Sequence, residues 1–291
     1  MKRFPDFSAE RNWLAALPNV EITLPPVYSE LPWLKAVFGV LQQSPLFAHF
    51  NWVLGHIYAD RPEQFQTPLN RKTIMLYFSN EDFRIPTYIS ELGMLFTPYW
   101  WPSQPAPNLR ALPLGCNGEV PEVPPVPWAE RDLDLFYSGH AHKYRRGFYQ
   151  ALQDVLLHFR PGGAELSALA VWSSRFRAGL DPNTYAAYLS RSKVALIPRG
   201  HSAMTYRLFE AMRAGCLLLC EDLPPAWYLR DCPRVVMPPD WHNLGPVLSQ
   251  IWQDPALMAD MHKQTLDNYQ LTCRPEAIAA YILGEISVIM A

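Results

Sequence analysis

A chain of 291 residues, 49% of them hydrophobic, is long enough for two ordinary domains and apolar enough to fill its cores without metal or disulfide help. Its 25 basic and 27 acidic side chains nearly cancel, which argues against the broad positive surface that a nucleic-acid partner requires. Five cysteines without a CxxC pair fit reduced thiols in the cytoplasm, and no stretch approaches the roughly 18 apolar residues of a membrane span, so secretion and membrane insertion are both disfavoured.

In chain order, the first amphipathic patch is Trp33, Leu34, Val37 and Phe38, whose spacing suits packing better than contact with a lipid-linked acceptor. The run from Lys72 to Phe78 predicts a buried strand, and Ser79-Asn80-Glu81-Asp82 a polar loop at its C-terminal end. Gly93 to Thr97 and Leu112 to Gly115 predict two more short strands. Between them, Trp100 and Trp101 beside prolines read as packing anchors in preference to a sugar-stacking surface. Pro121, Pro124, Pro125 and Pro127 mark a semi-rigid connector, which closes a small α/β lobe of residues 1–125.

The second lobe, residues 126–275, repeats strand, loop and helix. Strands are predicted from Leu133 to Gly139, Ala168 to Trp172, Val194 to Pro198 and Cys216 to Cys220. Helices are predicted from Arg145 to Phe159, around Tyr185, Tyr188 and Leu189, and from Met204 to Ala214 with Gly215 as its C-cap. Such alternation implies a parallel, doubly wound sheet. Beyond Trp241 two helical patterns, broken at Asp254-Pro255 and Arg274-Pro275, flank the sheet, and residues 276–291 are expected to cross back to the first lobe.

Ligands of doubly wound sheets bind at the C-terminal ends of the strands, where helix N-termini offer unpaired N–H groups and partial positive charge. The segment from Pro198 to Glu210 lies at such a place. Arg199 can meet a phosphate bidentately, Gly200 lets backbone come close, and Ser202 or Thr205 can cap the helix. On the helical wheel Met204, Leu208, Phe209 and Met212 share one arc, while Arg207 and Glu210 fall together on the other. An arginine for a diphosphate beside a carboxylate for ribose hydroxyls is what a nucleotide-sugar site needs.

Pro198-Arg199-Gly200, Arg207-Leu208-Phe209-Glu210-Ala211 and Ala214-Gly215-Cys216 resemble the donor lobe of the exostosin-like glycosyltransferases. Phe136-Tyr137-Ser138-Gly139 followed by Arg145 and Arg146, and Leu223-Pro224, extend the resemblance over about a hundred residues. It implies the α/β GT-B architecture, with two Rossmann-like lobes and parallel sheets facing across a cleft. It also implies a metal-independent, Leloir-type enzyme with the donor on the second lobe and the acceptor on the first. Arg199 would meet the donor phosphates, Glu210 the ribose, and Arg207 the diphosphate or Glu210 itself; Gly139, Arg145 and Arg146 would lie nearby. Typical animal members are longer, membrane-anchored and disulfide-containing, whereas this chain is expected to have no anchor and a short first lobe.

Glu81 and Asp82 stand where such an enzyme would keep a base for the acceptor hydroxyl, or are plain loop charges. The His140-x-His142 pair reads as cleft histidines, since no further metal ligands are spaced near it. The expected reaction moves a sugar from a UDP- or GDP-type donor to a hydroxyl of a glycan, glycolipid or other acceptor, with no metal or other cofactor. The alternative is a non-catalytic nucleotide-sugar-binding protein. No Gly-x-Ser-x-Gly elbow, Walker loop or Gly-x-Gly-x-x-Gly favours a hydrolase or an oxidoreductase.

Overall fold

The computed structural model describes residues 5–59, 61–99, 106–173 and 179–290. Trp100 and Trp101 lie outside them. The chain divides into two compact units: Met1–Glu119 with Pro224–Arg230 and Leu271–Ala291, and Val120–Leu223 with Asp231–Gln270.

The first unit is built on five parallel strands in sequential order, β1 (Val20–Ile22), β2 (Asn51–His56), β3 (Thr73–Phe78), β4 (Met94–Thr97) and β5 (Leu109–Ala111). Alternate residues of these strands go to opposite faces, as a pleated strand requires. Trp52, Leu54, Ile74, Leu76, Phe78 and Phe96 join a core with helices α1 (Ser8–Ala15), α2 (Leu31–Leu41) and α8 (Pro275–Met290). Val53, Met75, Tyr77 and Leu95 face the other way, where Phe65, Tyr88 and Leu92 from loops cover them instead of helices. Leu34, Val37 and Phe38 are fully buried, so the amphipathic patch is core. Trp227 explains why a distant segment joins this unit: its indole N–H donates to the Ala111 carbonyl at 3.0 Å, and its ring stacks on Tyr281 of α8 at 4.1 Å.

The last strand of this sheet, β5, is not where the sequence places it. It is Leu109–Ala111, and Leu112 to Gly115 is irregular chain. The apolar residues there are buried outside the ladder, and Gly115, at φ 78°, turns the backbone so that Trp33 can lie against it. A side chain at 115 would stand 2.8 Å from the indole.

The second unit holds strands β6 (Leu133–His140), β7 (Ala168–Ser173), β8 (Ser192–Ile197), β9 (Leu217–Glu221) and β10 (Arg234–Met237), all parallel, in the order β10-β9-β8-β6-β7. Helices α3 (Arg146–His158), α4 (Pro182–Ser190), α5 (Tyr206–Ala214), α6 (Leu244–Ile251) and α7 (Pro255–Thr272) complete the chain, α7 belonging to this unit as far as Gln270. Val194 to Ile197 and Leu217 to Cys220 are continuous buried apolar runs, as expected of strands covered on both faces. Three helices, not two, follow Trp241, because Asp254-Pro255 and Arg274-Pro275 each restart a helix.

Local chemistry fixes the helix ends near the site. Asp181 caps α4, its carboxylate accepting the Asn183 and Thr184 N–H groups at 3.1 Å, with Pro182 in the first turn. Gly215 ends α5 at φ 69°, and a Cβ there would meet Leu266 and His262 at 2.7 and 2.8 Å. At the opposite edge of the sheet the buried Arg131 guanidinium donates to the Ser192 and Ala214 carbonyls, and its Nε–H to Val126 at 3.0 Å. All five cysteines are buried and none forms a disulfide; burial pushes the Cys216 thiol up to about 11.

Candidate functional site

The strand order of the second unit reverses at β6. The chain goes from β6 outward to β7, then returns to place β8 on the other side of β6. This is a topological switch point, where the connections leave a crevice at the C-terminal ends of the strands. Pairing between β6 and β8 stops at Phe136↔Ala195, whereas β6 pairs with β7 as far as His140↔Ser173. Past Phe136 the two central strands therefore part.

Three arginines occupy this place. Arg145, buried before α3, donates its Nε–H to the Arg199 carbonyl at 2.6 Å, an Nη1–H to His140 at 2.9 Å and another contact to the Tyr137 hydroxyl at 3.4 Å. Arg207, in the first turn of α5, donates to the Ser138 carbonyl and lies 5.0 Å over the Tyr137 ring. Its Nε is buried without a hydrogen-bond partner. Arg199 donates from Nη2 to the His201 carbonyl at 3.1 Å and keeps 40% of its side chain exposed. Arg146 is exposed on α3 and makes none of these hydrogen bonds.

Two carboxylates balance the cluster. Glu221, at the end of β9 and 5% exposed, accepts the Arg199 backbone N–H at 3.1 Å and the Trp241 indole N–H at 3.3 Å, with the Arg199 Nε 3.9 Å away. Glu210 is 4% exposed and accepts a hydrogen bond from the Tyr185 hydroxyl at 2.7 Å. Burial and the Glu210 charge hold the Tyr185 hydroxyl far above its ordinary range, so it remains a donor.

The small residues shape the backbone. A Cβ at Gly139 would lie 2.6 Å from the Tyr137 hydroxyl and 2.7 Å from Arg207 Nη2, so the guanidinium needs a glycine there. A Cβ at Gly200 would meet nothing nearer than 3.7 Å, so the protein's own atoms do not demand glycine at that turn. The buried Ser202 hydroxyl accepts the Met204 N–H at 3.2 Å, in the loop before the helix rather than as its cap. Thr205 is the N-cap of α5 by backbone, yet its hydroxyl makes no capping bond and is buried without a partner. The helix also begins two residues later than its sequence suggests, because Thr205 is extended, at φ −141° and ψ 156°, and takes the N-cap position.

Tyr137, Tyr149, Tyr185 and Glu221 were not visible as site residues in the sequence. The Tyr149 hydroxyl donates to the His140 carbonyl at 2.7 Å and lies 3.1 Å from that of Tyr137. Each stands on a strand or helix as an ordinary core-forming residue, and only Glu221, the first acid after the apolar strand, carried a signal. His140, His142 and His201 form an aromatic rim with Tyr144, ring centroids 4.8–6.2 Å apart. Burial and then the Arg145 charge lower the His142 pKa. Among the described residues no group of three or more His, Cys, Asp or Glu is placed to hold a metal ion. A separate cavity of about 420 Å³ lies between α3 and α6, lined by Asp154, His158, His242 and Ser249, on the helical flank and away from this cluster.

In the first unit, Glu81 and Asp82 follow β3 in a loop clasped by the buried Asn80 side chain, which holds the Arg84 N–H and carbonyl at 2.8 and 2.6 Å. Asp82 pairs with Arg84 at 3.1 Å on the exposed surface.

Over 88% of its length the chain is similar to a sucrose-phosphate synthase from Thermosynechococcus elongatus, with a TM-score of 0.52 at 14% identity and 77% of that chain covered. The fold is GT-B. A GtfA/B complex is also similar, with a TM-score of 0.47 at 11% identity over 90% of this chain and 60% of that one. At 14% identity the likeness to the synthase concerns the fold alone. No protein-family model matches the sequence, and no curated protein matches it. No helix among the described residues is long and apolar enough to cross a membrane.

Proposed function

We propose that the protein is a Leloir-type glycosyltransferase, which moves a sugar from a UDP- or GDP-type nucleotide sugar to a hydroxyl of a glycan, glycolipid or other acceptor. The observation that carries this reading is the gathering of Arg145, Arg199, Arg207 and the N-terminus of α5 at the β6/β8 switch point of a GT-B fold. Arg199, the partnerless Thr205 hydroxyl and the first amides of α5 would hold the diphosphate, with Arg207 adding charge from beneath. Gly200 leaves space for the phosphates to approach the turn. Glu210, steadied by Tyr185, would accept the ribose hydroxyls. Arg145 would act through the loops it joins.

In this reading the leaving diphosphate is stabilised by preorganised guanidinium and amide groups, so the reaction proceeds without a divalent ion. On this reading the acceptor would be bound by the first unit, and the enzyme would be an exostosin-like transferase working in the cytoplasm, a reading supported by the resemblance of Pro198-Arg199-Gly200 and Arg207-Leu208-Phe209-Glu210-Ala211 to that family's donor lobe. Consumption of UDP- and GDP-sugars in metal-free buffer tests it. Release of UDP or GDP that stops in Arg199→Ala supports transfer; tight nucleotide binding with no turnover under any acceptor would leave a sugar-nucleotide-binding protein instead.

A further inference from the structure

Histidines crowd the rim of the β6/β8 switch point, all of them within the second unit. Five of the seven residues from His140 to Arg146 carry basic side chains, and none is acidic. The His140 and His142 rings stand 6.2 Å apart between centroids, those of His142 and Tyr144 4.8 Å, and those of Tyr144 and His201 6.1 Å. Lys143 places its ammonium 4.9 Å over the Tyr144 ring. Arg145 ties this loop to the next. It donates to the His140 carbonyl at 2.9 Å and to the Arg199 carbonyl at 2.6 Å, and its Nη2 lies 3.7 Å from where a side chain at Gly200 would begin. The rim therefore closes over the turn at which the diphosphate is proposed to sit.

The hydrogen bonds decide which ring nitrogens take a proton. A carbonyl can only accept, so His140 carries its hydrogen on Nδ1, toward Ser173 at 3.2 Å, and a second proton goes to Nε2. In His142 the order is reversed: Nδ1 accepts the Tyr144 N–H at 3.4 Å, so the neutral ring holds its hydrogen on Nε2. Protonating His142 gives up that long bond, and the surroundings oppose it further. Burial lowers its pKa first, followed by the positive charges of Arg145, His140, Lys143 and His201. The carboxylates at this end of the unit are turned to other partners: Glu221 to Arg199 and Trp241, Glu210 to Tyr185, and Asp240 to His242 at 2.7 Å. A diphosphate reverses the balance, since an opposite charge within about 4–6 Å favours the charged imidazole.

We propose that His140, His142 and His201 form a proton-linked clamp on the donor's diphosphate, so that binding draws protons from solution onto the rim and affinity rises with acidity; this rests on the transferase reading above. Protonation and binding are reciprocal: whatever factor the proton adds to donor affinity, the donor adds to proton affinity. The proton comes from the buffer and returns to it when the nucleotide leaves. The Tyr144 N–H, released by the protonated His142, becomes a further donor for the phosphate oxygens. The three rings interact, so the rim titrates as a group. The enzyme then holds its donor, and its nucleoside diphosphate product, more tightly in acid than at neutral pH.

The test is calorimetry with UDP-glucose, UDP-N-acetylglucosamine and GDP-mannose. Both phosphates of these donors are esterified on either side, so their charge is constant from about pH 5 to 8, whereas the terminal phosphate of UDP or GDP itself titrates at about pH 6. Titrations in PIPES, ACES and imidazole buffers at about pH 6.5 read the protons exchanged from the dependence of the heat on buffer ionisation enthalpy. Wild type should take up protons, and its Kd should fall by up to about tenfold per pH unit between about pH 7.5 and 6. The double variant His142→Gln/His201→Gln should lose most of the uptake and of the slope. His142→Arg, whose charge is fixed, should keep at about pH 8 an affinity that wild type reaches only in acid. Zero uptake in wild type, or an unchanged uptake in the double variant, overturns the proposal. If wild type binds none of these donors, the transferase reading falls by itself. Inorganic pyrophosphate then serves as the probe, and the imidazole Cε1–H resonances are followed against pH by NMR, with the His142 signal identified by its absence in His142→Gln. A higher titration midpoint with pyrophosphate supports the clamp, and an unshifted one overturns it.

Discussion

The Arg145 guanidinium donates to the backbone carbonyl of Arg199 at 2.6 Å, so the loop after β8 is held by a residue that follows β6. The same side chain reaches the His140 carbonyl at 2.9 Å. Removing it in Arg145→Ala should cost stability of about 1.5–3 kcal/mol for each hydrogen bond to a charged group. Thermal melts should show the loss, and nucleotide affinity should fall with it. Arg145→Lys keeps the charge but cannot reproduce the fork, and should recover little of either.

Tyr185 takes one lone pair of Glu210, which orients the carboxylate. In Tyr185→Phe that buried charge loses a donor, at a cost of about 1–3 kcal/mol. Should Glu210 meet the ribose, the variant will lose affinity for UDP or GDP while binding the 2′-deoxy nucleotide nearly as well as wild type. An equal loss for both nucleotides would make the pair structural.

Gly139→Ala tests the packing at the strand's end. A Cβ 2.7 Å from Arg207 Nη2 forces the guanidinium off the Ser138 carbonyl. Expected is a loss of diphosphate affinity of about tenfold, in keeping with one charge-assisted contact, together with a lower melting temperature, because the same Cβ would lie 2.6 Å from the hydroxyl of the fully buried Tyr137. A large loss of stability with unchanged affinity would contradict it.

The parts of the molecule legible in the sequence are those where one physical signal dominates. Val194 to Ile197 and Leu217 to Cys220 are unbroken apolar runs, and Gly215 can only end a helix at φ 69°. Arg199, Arg207 and Glu210 announced themselves by charge beside such a strand. By contrast β2 carries Gly55 and ends in His56, and β10 (Arg234–Met237) is half exposed, so neither looked like a strand. Tyr185 and Glu221 gain their meaning from neighbours dozens of residues away. Pairing of that kind has no periodicity to read.

Stability should also respond to pH through buried histidines. His262 donates from Nδ1 to the Gly215 carbonyl at 2.6 Å, and burial lowers its pKa below 6.5. Above 6.5 folded and unfolded chains both carry a neutral ring, and the stability is complete. As pH falls through that value the unfolded chain binds the proton first, so stability drops until the folded ring also titrates. His56 acts in the same direction. The melting temperature should therefore decline from about pH 7 to 5, and less steeply in His262→Asn, which keeps a donor for Gly215. A flat profile in wild type would contradict the assignment.

The most direct test of the donor site is calorimetry of wild type and Glu210→Ala with UDP, GDP, CDP and their sugars, without added metal. The account predicts that one nucleotide binds and that Glu210→Ala weakens it by about 1.5–3 kcal/mol, the worth of hydrogen bonds to a charged group. If no nucleotide binds, or if Glu210→Ala binds as tightly as wild type, the β6/β8 switch point is not the donor site and the GT-B fold serves another purpose.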